Sequence, residues 1–144
     1  MFILKVFAVF LGLTVMAGIT YGKEHSVQKP RVPADQLDAA RAMKNPIPAS
    51  PANLAKGKEI FEGKGKCFLC HGMNGDGKGP LGTAAEPSPR NFRNGDWQKA
   101  RTDGELKWVI THGVQGSWMH EKSSILTDEE MWQVILHIRS FGKR

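Results

Sequence analysis

The chain has 144 residues, room for one domain with extensions. Lys and Arg outnumber Asp and Glu 20 to 14, a formal charge of +6, but basic and aromatic residues do not interleave in runs, which argues against nucleic-acid binding. Only two cysteines are present, so thiolates alone cannot supply the four ligands of a structural zinc site.

The first residues, Met1-Phe2-Ile3-Leu4-Lys5, lead into an apolar stretch from Val6 to Ile19, with small Ala17 and Gly18 near its end. One positive charge, a short apolar core and small residues at the exit are the pattern of a secretory signal over residues 1–22, with cleavage expected after Gly22. The stretch is shorter than the ~20 apolar residues of a membrane-spanning helix; an uncleaved anchor is the alternative. Residues 23–49 carry Pro30, Pro33, Pro46 and Pro48, many charges and few large apolar side chains. Such composition does not fold alone and reads as a tether, with a short helix over Asp35–Met43. It can drape over the domain, dock to a partner or stay mobile.

The folded unit is expected over residues 50–144. Its first helix begins at Ser50-Pro51, with Ser as N-cap and Pro at the first helical position. Leu54, Gly57, Ile60 and Phe61 share one face, and the helix ends before Gly63. Then comes Cys67-Phe68-Leu69-Cys70-His71, a C-x-x-C-H run and the attachment pattern of a c-type haem. The two thiols add across the vinyl groups as thioethers, and the His offers a neutral imidazole nitrogen to the iron. The rival readings are weaker. A redox C-x-x-C pair belongs beside a strand–helix–strand pattern, and no strand-like run follows. A zinc site would need His25, His112, His120 or His137, none of which forms a recognisable second ligand pair. Export agrees with haem attachment, because thiols consumed as thioethers are not free to form a disulfide in an oxidising compartment.

The second helix starts at the capping box Thr102-Asp103-Gly104-Glu105. Leu106, Val109 and Ile110 recur at helical spacing, and Gly113 ends it. The third starts at a second capping box, Thr127-Asp128-Glu129-Glu130. Met131, Val134, Ile135, Ile138 and Phe141 form its apolar stripe, and Gly142 closes it. The Gly- and Pro-rich stretch after the first helix shows no alternating pattern. The expected fold class is all-α: three main helices and long loops wrapped around one covalently bound haem.

The ligand opposite His71 decides the function. An open position would admit oxygen, nitric oxide or peroxide; a filled one makes an electron carrier. Met73 is only two residues beyond His71, too close to reach the opposite face. Met131 fits the core stripe of the third helix, where His137 also lies. The residues themselves leave His112, Met119 and His120 in contention.

At this point the chain resembles a class I, single-haem bacterial cytochrome c, over roughly Gly57 to Phe141. The matching residues are Gly57-x-x-Ile60-Phe61, then Cys67-x-x-Cys70-His71-Gly72-x-x-Gly75-x-Gly77-x-Gly79-Pro80. Next come Ile110-x-x-Gly113 with Met119 six residues on, and Leu126-Thr127-Asp128-Glu129-Glu130-Met131-Trp132 leading to Ile138-Arg139-Ser140-Phe141. The resemblance implies Met119 as the sixth iron ligand. It implies the Pro80 carbonyl as acceptor of the other His71 ring N–H, fixing the ring's tautomer. It also implies a crossing of first and last helices at Gly57 or Phe61 against Trp132. Two positions depart from the family pattern: His120 stands where a Pro is usual, and Trp118 where a smaller residue is common. His120 could compete for the iron or titrate near neutral pH, and His112 could lie near the haem edge. Arg90, Asn91, Arg93 and Trp97 are candidate partners for the haem propionates.

The implied activity is one-electron transfer with no enzymatic step, in the periplasm or at the outer face of the inner membrane, between respiratory or periplasmic oxidoreductases. Thioether ligation and burial would both raise the reduction potential. The spread of basic residues suits redox partner proteins with acidic docking surfaces; an ordinary solvated surface is the alternative. Membrane association would come through the N-terminal segment or a complex. The rival functions are a haem subunit fixed in a larger membrane oxidoreductase complex, and a haem enzyme or gas sensor with an open iron, which the Met119 spacing opposes.

Overall fold

The computed structural model describes residues 29–143. The expected signal segment and His25 lie outside the described residues, among which no helix is long and apolar enough to cross a membrane. Six α-helices follow in order, with no strand among the described residues. They are α1 (Leu37–Ala42), α2 (Pro51–Glu62), α3 (Phe68–His71), α4 (Gly95–Ala100), α5 (Asp103–His112) and α6 (Asp128–Phe141), with a 3₁₀ turn at Gly82–Ala84. The chain is thus all-α with long loops.

The three long helices start where local chemistry dictates. Ser50 Oγ accepts the Asn53 N–H at 3.2 Å, and Pro51 opens α2 without wasting a donor. In α5, Glu105 N–H donates to Thr102 Oγ1 while Thr102 N–H donates to Glu105 Oε2, at 3.2 and 2.8 Å. Thr127 and Glu130 repeat the exchange at the start of α6. Each box satisfies two orphan amides. The six-residue helix α4 was not expected from the sequence. Its only local cue is Asn94, whose side chain accepts the Trp97 N–H at 2.9 Å.

The core forms where α2 crosses α6. A Cβ on Gly57 would sit 2.1 Å from the Gln133 carbonyl oxygen and 3.2 Å from His137 Cβ, so only Gly permits this approach. The expected partner, Trp132, is one residue off. Gln133 and His137, at i and i+4, turn toward α2. Trp132 is buried in the same core, with the Lys107 ammonium 5.4 Å from its ring centroid and Asn45 Nδ2 donating to its carbonyl at 3.1 Å. Phe61 does reach α6, with ring centroids 5.2 Å from His137 and 5.5 Å from Phe141. α5 also packs on α6, adding Leu106 and Ile110 to a core that holds Val134, Ile135 and Ile138.

Arg139 ties the C-terminal half together. Its guanidinium donates to Asp103 Oδ1 (2.7 Å), to the Gln98 carbonyl and Oε1 (2.8 Å each), and to the Arg101 carbonyl (2.6 Å). One side chain of α6 therefore fixes the junction of α4 and α5, which lies beside the site described next. Residues 29–49 lie against this unit, with α1 packed on α5.

Candidate functional site

α3 is a single turn. Cys67 stands at its N-cap with helical φ/ψ of −64° and −32°, so Cys67, Cys70 and His71 occupy positions i, i+3 and i+4 and share one face. Neither Cys is in a disulfide. Burial pushes the Cys67 thiol up to about 11, which keeps it protonated at neutral pH. The described residues contain no cluster of His, Cys, Asp and Glu that could hold a metal ion, which disfavours zinc.

The His71 ring stacks on Phe92, with centroids 4.3 Å apart and planes 18° from parallel. Its Nδ1 lies 3.1 Å from the Arg90 carbonyl oxygen. A carbonyl can only accept, so Nδ1 carries the proton and Nε2 keeps its lone pair. Burial pushes the His71 pKa down to about 4, so the ring is neutral at neutral pH. A neutral imidazole with a fixed tautomer and a free Nε2 is what an iron ligand requires.

The expected acceptor, Pro80, does not fill this role; it is exposed. The reason lies in the loop after α3. It doubles back along the turn, with Gly77, Gly79 and Leu81 N–H donating to the His71, Cys70 and Leu69 carbonyls at 2.8, 3.1 and 2.8 Å. That path caps α3 and carries Pro80 to the surface. The next segment returns instead, pinned by Phe92 N–H to the Gly75 carbonyl at 2.7 Å, and so delivers Arg90 to the ring.

Cys67, Cys70, His71 and Met119 all line one cavity. Its walls include apolar Ile110, Leu126, Val134 and Ile138. The loop that carries Met119 is closed on itself. Val114 N–H donates to the Met119 carbonyl at 2.8 Å, and Met119 N–H donates to Ser117 Oγ at 3.1 Å. Ser117 Oγ in turn donates to the Val114 carbonyl at 2.8 Å. The Met119 side chain packs against the core.

The other sequence candidates separate cleanly. His120 is exposed and also lines the cavity. His112 does not line it; the ring is exposed and stacks on Trp108 at 4.4 Å, with Nδ1 2.9 Å from the Trp108 carbonyl. Met73 is 53 % exposed. Met131 is buried in the core, its sulfur accepting the Thr111 hydroxyl at 3.4 Å. His137 packs between Phe61 and Phe141.

Of the candidate propionate partners, Arg90 and Trp97 line the cavity; Asn91 and Arg93 do not and are exposed. Asn91 instead closes a turn by accepting the Arg93 N–H at 2.9 Å. The sequence reading missed Arg31, Arg101 and Glu105, which also line the cavity. Arg101 was findable: it stands four residues before Glu105, and its Nη1 lies 2.7 Å from Glu105 Oε1. Arg31 has no local signal. Burial lowers the Arg90 guanidinium to about 10, helped by the neighbouring charges of Arg31 and Arg101.

The site offers two paired thiols, a neutral imidazole, a thioether, apolar walls and guanidinium groups. That set fits a flat apolar macrocycle with two reactive vinyls, an iron and two carboxylates, and so fits haem. Comparison with curated proteins returns no match. Among solved structures, the chain resembles a chain of the Kuenenia stuttgartiensis reducing HAO-like protein complex, with a TM-score of 0.59 and 24 % identity, covering 69 % of this chain and 49 % of that one. It also resembles cytochrome cL from the marine methylotrophic bacterium Methylophaga aminisulfidivorans, with a TM-score of 0.51 and 21 % identity, covering 73 % and 63 %. The chain thus spans about half the length of the first and under two thirds of the second, and at these identities the likeness is one of fold. A family model described as cytochrome c matches residues 54–142, most of the folded unit; the chain belongs to the cytochrome c family, whose members carry a covalently bound c-type haem for electron transfer.

Proposed function

We propose that the protein is an exported one-electron carrier, with haem attached through Cys67 and Cys70 and its iron held between His71 and Met119. The observation that carries this reading is the single cavity that gathers both thiols, the His71 ring and the Met119 side chain. When bound, haem supplies an iron that takes up and releases one electron between its ferrous and ferric forms.

The chain's own residues do the rest. His71 presents Nε2 in a plane set by the Phe92 stack and the Arg90 carbonyl, and the hydrogen bond that Nδ1–H donates to that carbonyl makes the ring a stronger electron donor at Nε2. The stapled loop from Val114 to Met119 holds the thioether in place, where with His71 it would hold the iron and keep a substrate from it. Thioether ligation and the apolar wall of Ile110, Leu126, Val134 and Ile138 would both favour the less charged iron and raise the reduction potential. No bond of a substrate is made or broken.

Lys29, Lys66 and Lys122 also line the cavity, and their charge favours a redox partner with an acidic docking surface. A second reading makes the protein a haem subunit fixed in a larger oxidoreductase complex. Two observations favour it: Trp118, next to Met119, is 52 % exposed, and one similar chain comes from a complex. Native electrophoresis with haem staining separates the two, since a shuttle migrates alone. Export is supported by the sequence of residues 1–22, and intact mass would locate the cleavage. The axial assignment is tested by the far-red absorption band of the oxidised protein. It should be present in the native protein and absent in Met119→Ala with haem still attached. Persistence of the band in that variant would overturn the assignment.

A further inference from the structure

The segment that precedes the family-matched region reaches the site. Val32 is 5 % exposed, and Lys29, Arg31 and Val32 line the same cavity as Cys67, His71 and Met119. The segment is seated by specific contacts. A Cβ on Gly104 would lie 1.8 Å from the Ala40 carbonyl oxygen, so α1 rests directly on the α5 backbone. Trp108 Nε1 donates to Gln36 Oε1 at 2.8 Å, and Asn45 Nδ2 donates to the Trp132 carbonyl at 3.1 Å.

Cationic side chains predominate in the lining of the cavity. Its lining holds six cationic side chains, Lys29, Arg31, Lys66, Arg90, Arg101 and Lys122, against one carboxylate, Glu105. Glu105 is 2 % exposed and already committed, with Arg101 Nη1 at 2.7 Å and Arg41 Nε at 3.8 Å. Beyond the effect of burial, the charges of Arg31 and Arg101 both weigh on the Arg90 guanidinium, so both lie within electrostatic reach of it. Guanidinium groups brought together at a partly buried site are stabilised by an anion between them, and their forked donors match carboxylates.

We infer that residues 29–49 form a strap closing one side of the haem site, and that Arg31 on this strap joins Arg90 and Arg101 in a guanidinium cluster that receives the haem propionates. The inference rests on the haem reading given above. It makes Arg31 a positioning residue supplied from outside the family-matched region, and it gives the strap an electrostatic role. A fixed positive charge beside the haem favours the ferrous state, which carries one positive charge fewer. Arg31 therefore raises the reduction potential.

The test is a potentiometric titration of the full holoprotein with Arg31→Gln, Arg31→Lys and Arg93→Gln, each checked for covalent haem by intact mass and for unchanged absorption bands. Arg93 is exposed and does not line the cavity, so Arg93→Gln controls for net charge alone. The strap predicts that Arg31→Gln lowers the ferrous-to-ferric ratio at fixed potential about three- to tenfold, a fall in midpoint of about 28–59 mV for a one-electron couple. Arg31→Lys should show less than half of that fall. A midpoint in Arg31→Gln no lower than in Arg93→Gln, with haem and bands intact, overturns the inference. If Arg31→Gln is poorly recovered, Arg31→Met takes its place under the same criterion: a midpoint below that of Arg93→Gln by about 28–59 mV upholds the charge role, and one no lower refutes it. Haem missing from the native protein would instead sink the haem reading itself.

Discussion

Gly113→Ala should detach Met119 while leaving the haem attached. Gly113 has φ +74° and ψ −164°, a region open essentially to glycine alone, where another residue costs about 1–3 kcal/mol. A Cβ there would also lie 2.6 Å from the Met119 carbonyl oxygen and 2.8 Å from the Glu121 nitrogen, an overlap costing about 1–3 kcal/mol more. Both penalties fall on the backbone that carries Met119, so about 2–6 kcal/mol works against the bound position of its sulfur. Even the lower end shifts a two-state loop about 30-fold toward the detached form. Gly116 is the matched control. It lies in the same loop with φ +72°, but nothing is within 4 Å of its Cβ position, so alanine there costs only about 1–2 kcal/mol of backbone strain. The assay is the far-red band of the oxidised protein, compared at equal haem content. Gly113→Ala should lose most of it and Gly116→Ala should keep most of it. Equal intensity in the two variants would refute the claim that close backbone approach at Gly113 positions Met119.

Arg139→Met should lower stability by about 2–4 kcal/mol in denaturant unfolding, since it strips donors from Asp103, Gln98 and the Arg101 carbonyl together; a loss under 1 kcal/mol would mean that solvent replaces those bonds freely. The Glu130 carboxyl is held below its ordinary value of 4.5, chiefly by its hydrogen bond from Lys64 and then by the Thr127 N–H. A carboxylate with a depressed folded pKa contributes stability above its unfolded value, and loses it as pH falls through the folded value. Lys64→Gln should therefore cost about 0.5 kcal/mol at pH 7 and little once Glu130 is protonated. Thermal melts across that range check this, and a deficit that grows on acidification would contradict it.

What the sequence revealed, and what it did not, follows the range of the interactions. The capping boxes at Thr102 and Thr127 are closed within four residues, so the starts of α5 and α6 were readable. The same holds for the Cys67-to-His71 run, whose one-sided geometry is a property of a single helical turn. The partner of the His71 ring was not readable, because Arg90 arrives from 19 residues away along a loop without periodicity. The nearer Pro80 is diverted to the surface by the bonds that cap α3. The sequence points to Gly57 or Phe61 against Trp132 for the helix crossing; Gly57 instead faces Gln133 and His137, since helical rotation at a contact depends on packing from every side. Residues 29–49 have the composition of a tether, yet Val32 and Ala40 are buried; their binding surface is made by α5 and the site, which no local pattern describes.

The central claim is that the iron is closed on both faces, and carbon monoxide tests it most directly. The reduced native protein should leave its absorption spectrum unchanged under carbon monoxide, and reduced Met119→Ala should bind the gas. Stoichiometric binding by the native protein would show an open iron and contradict an electron carrier held between His71 and Met119.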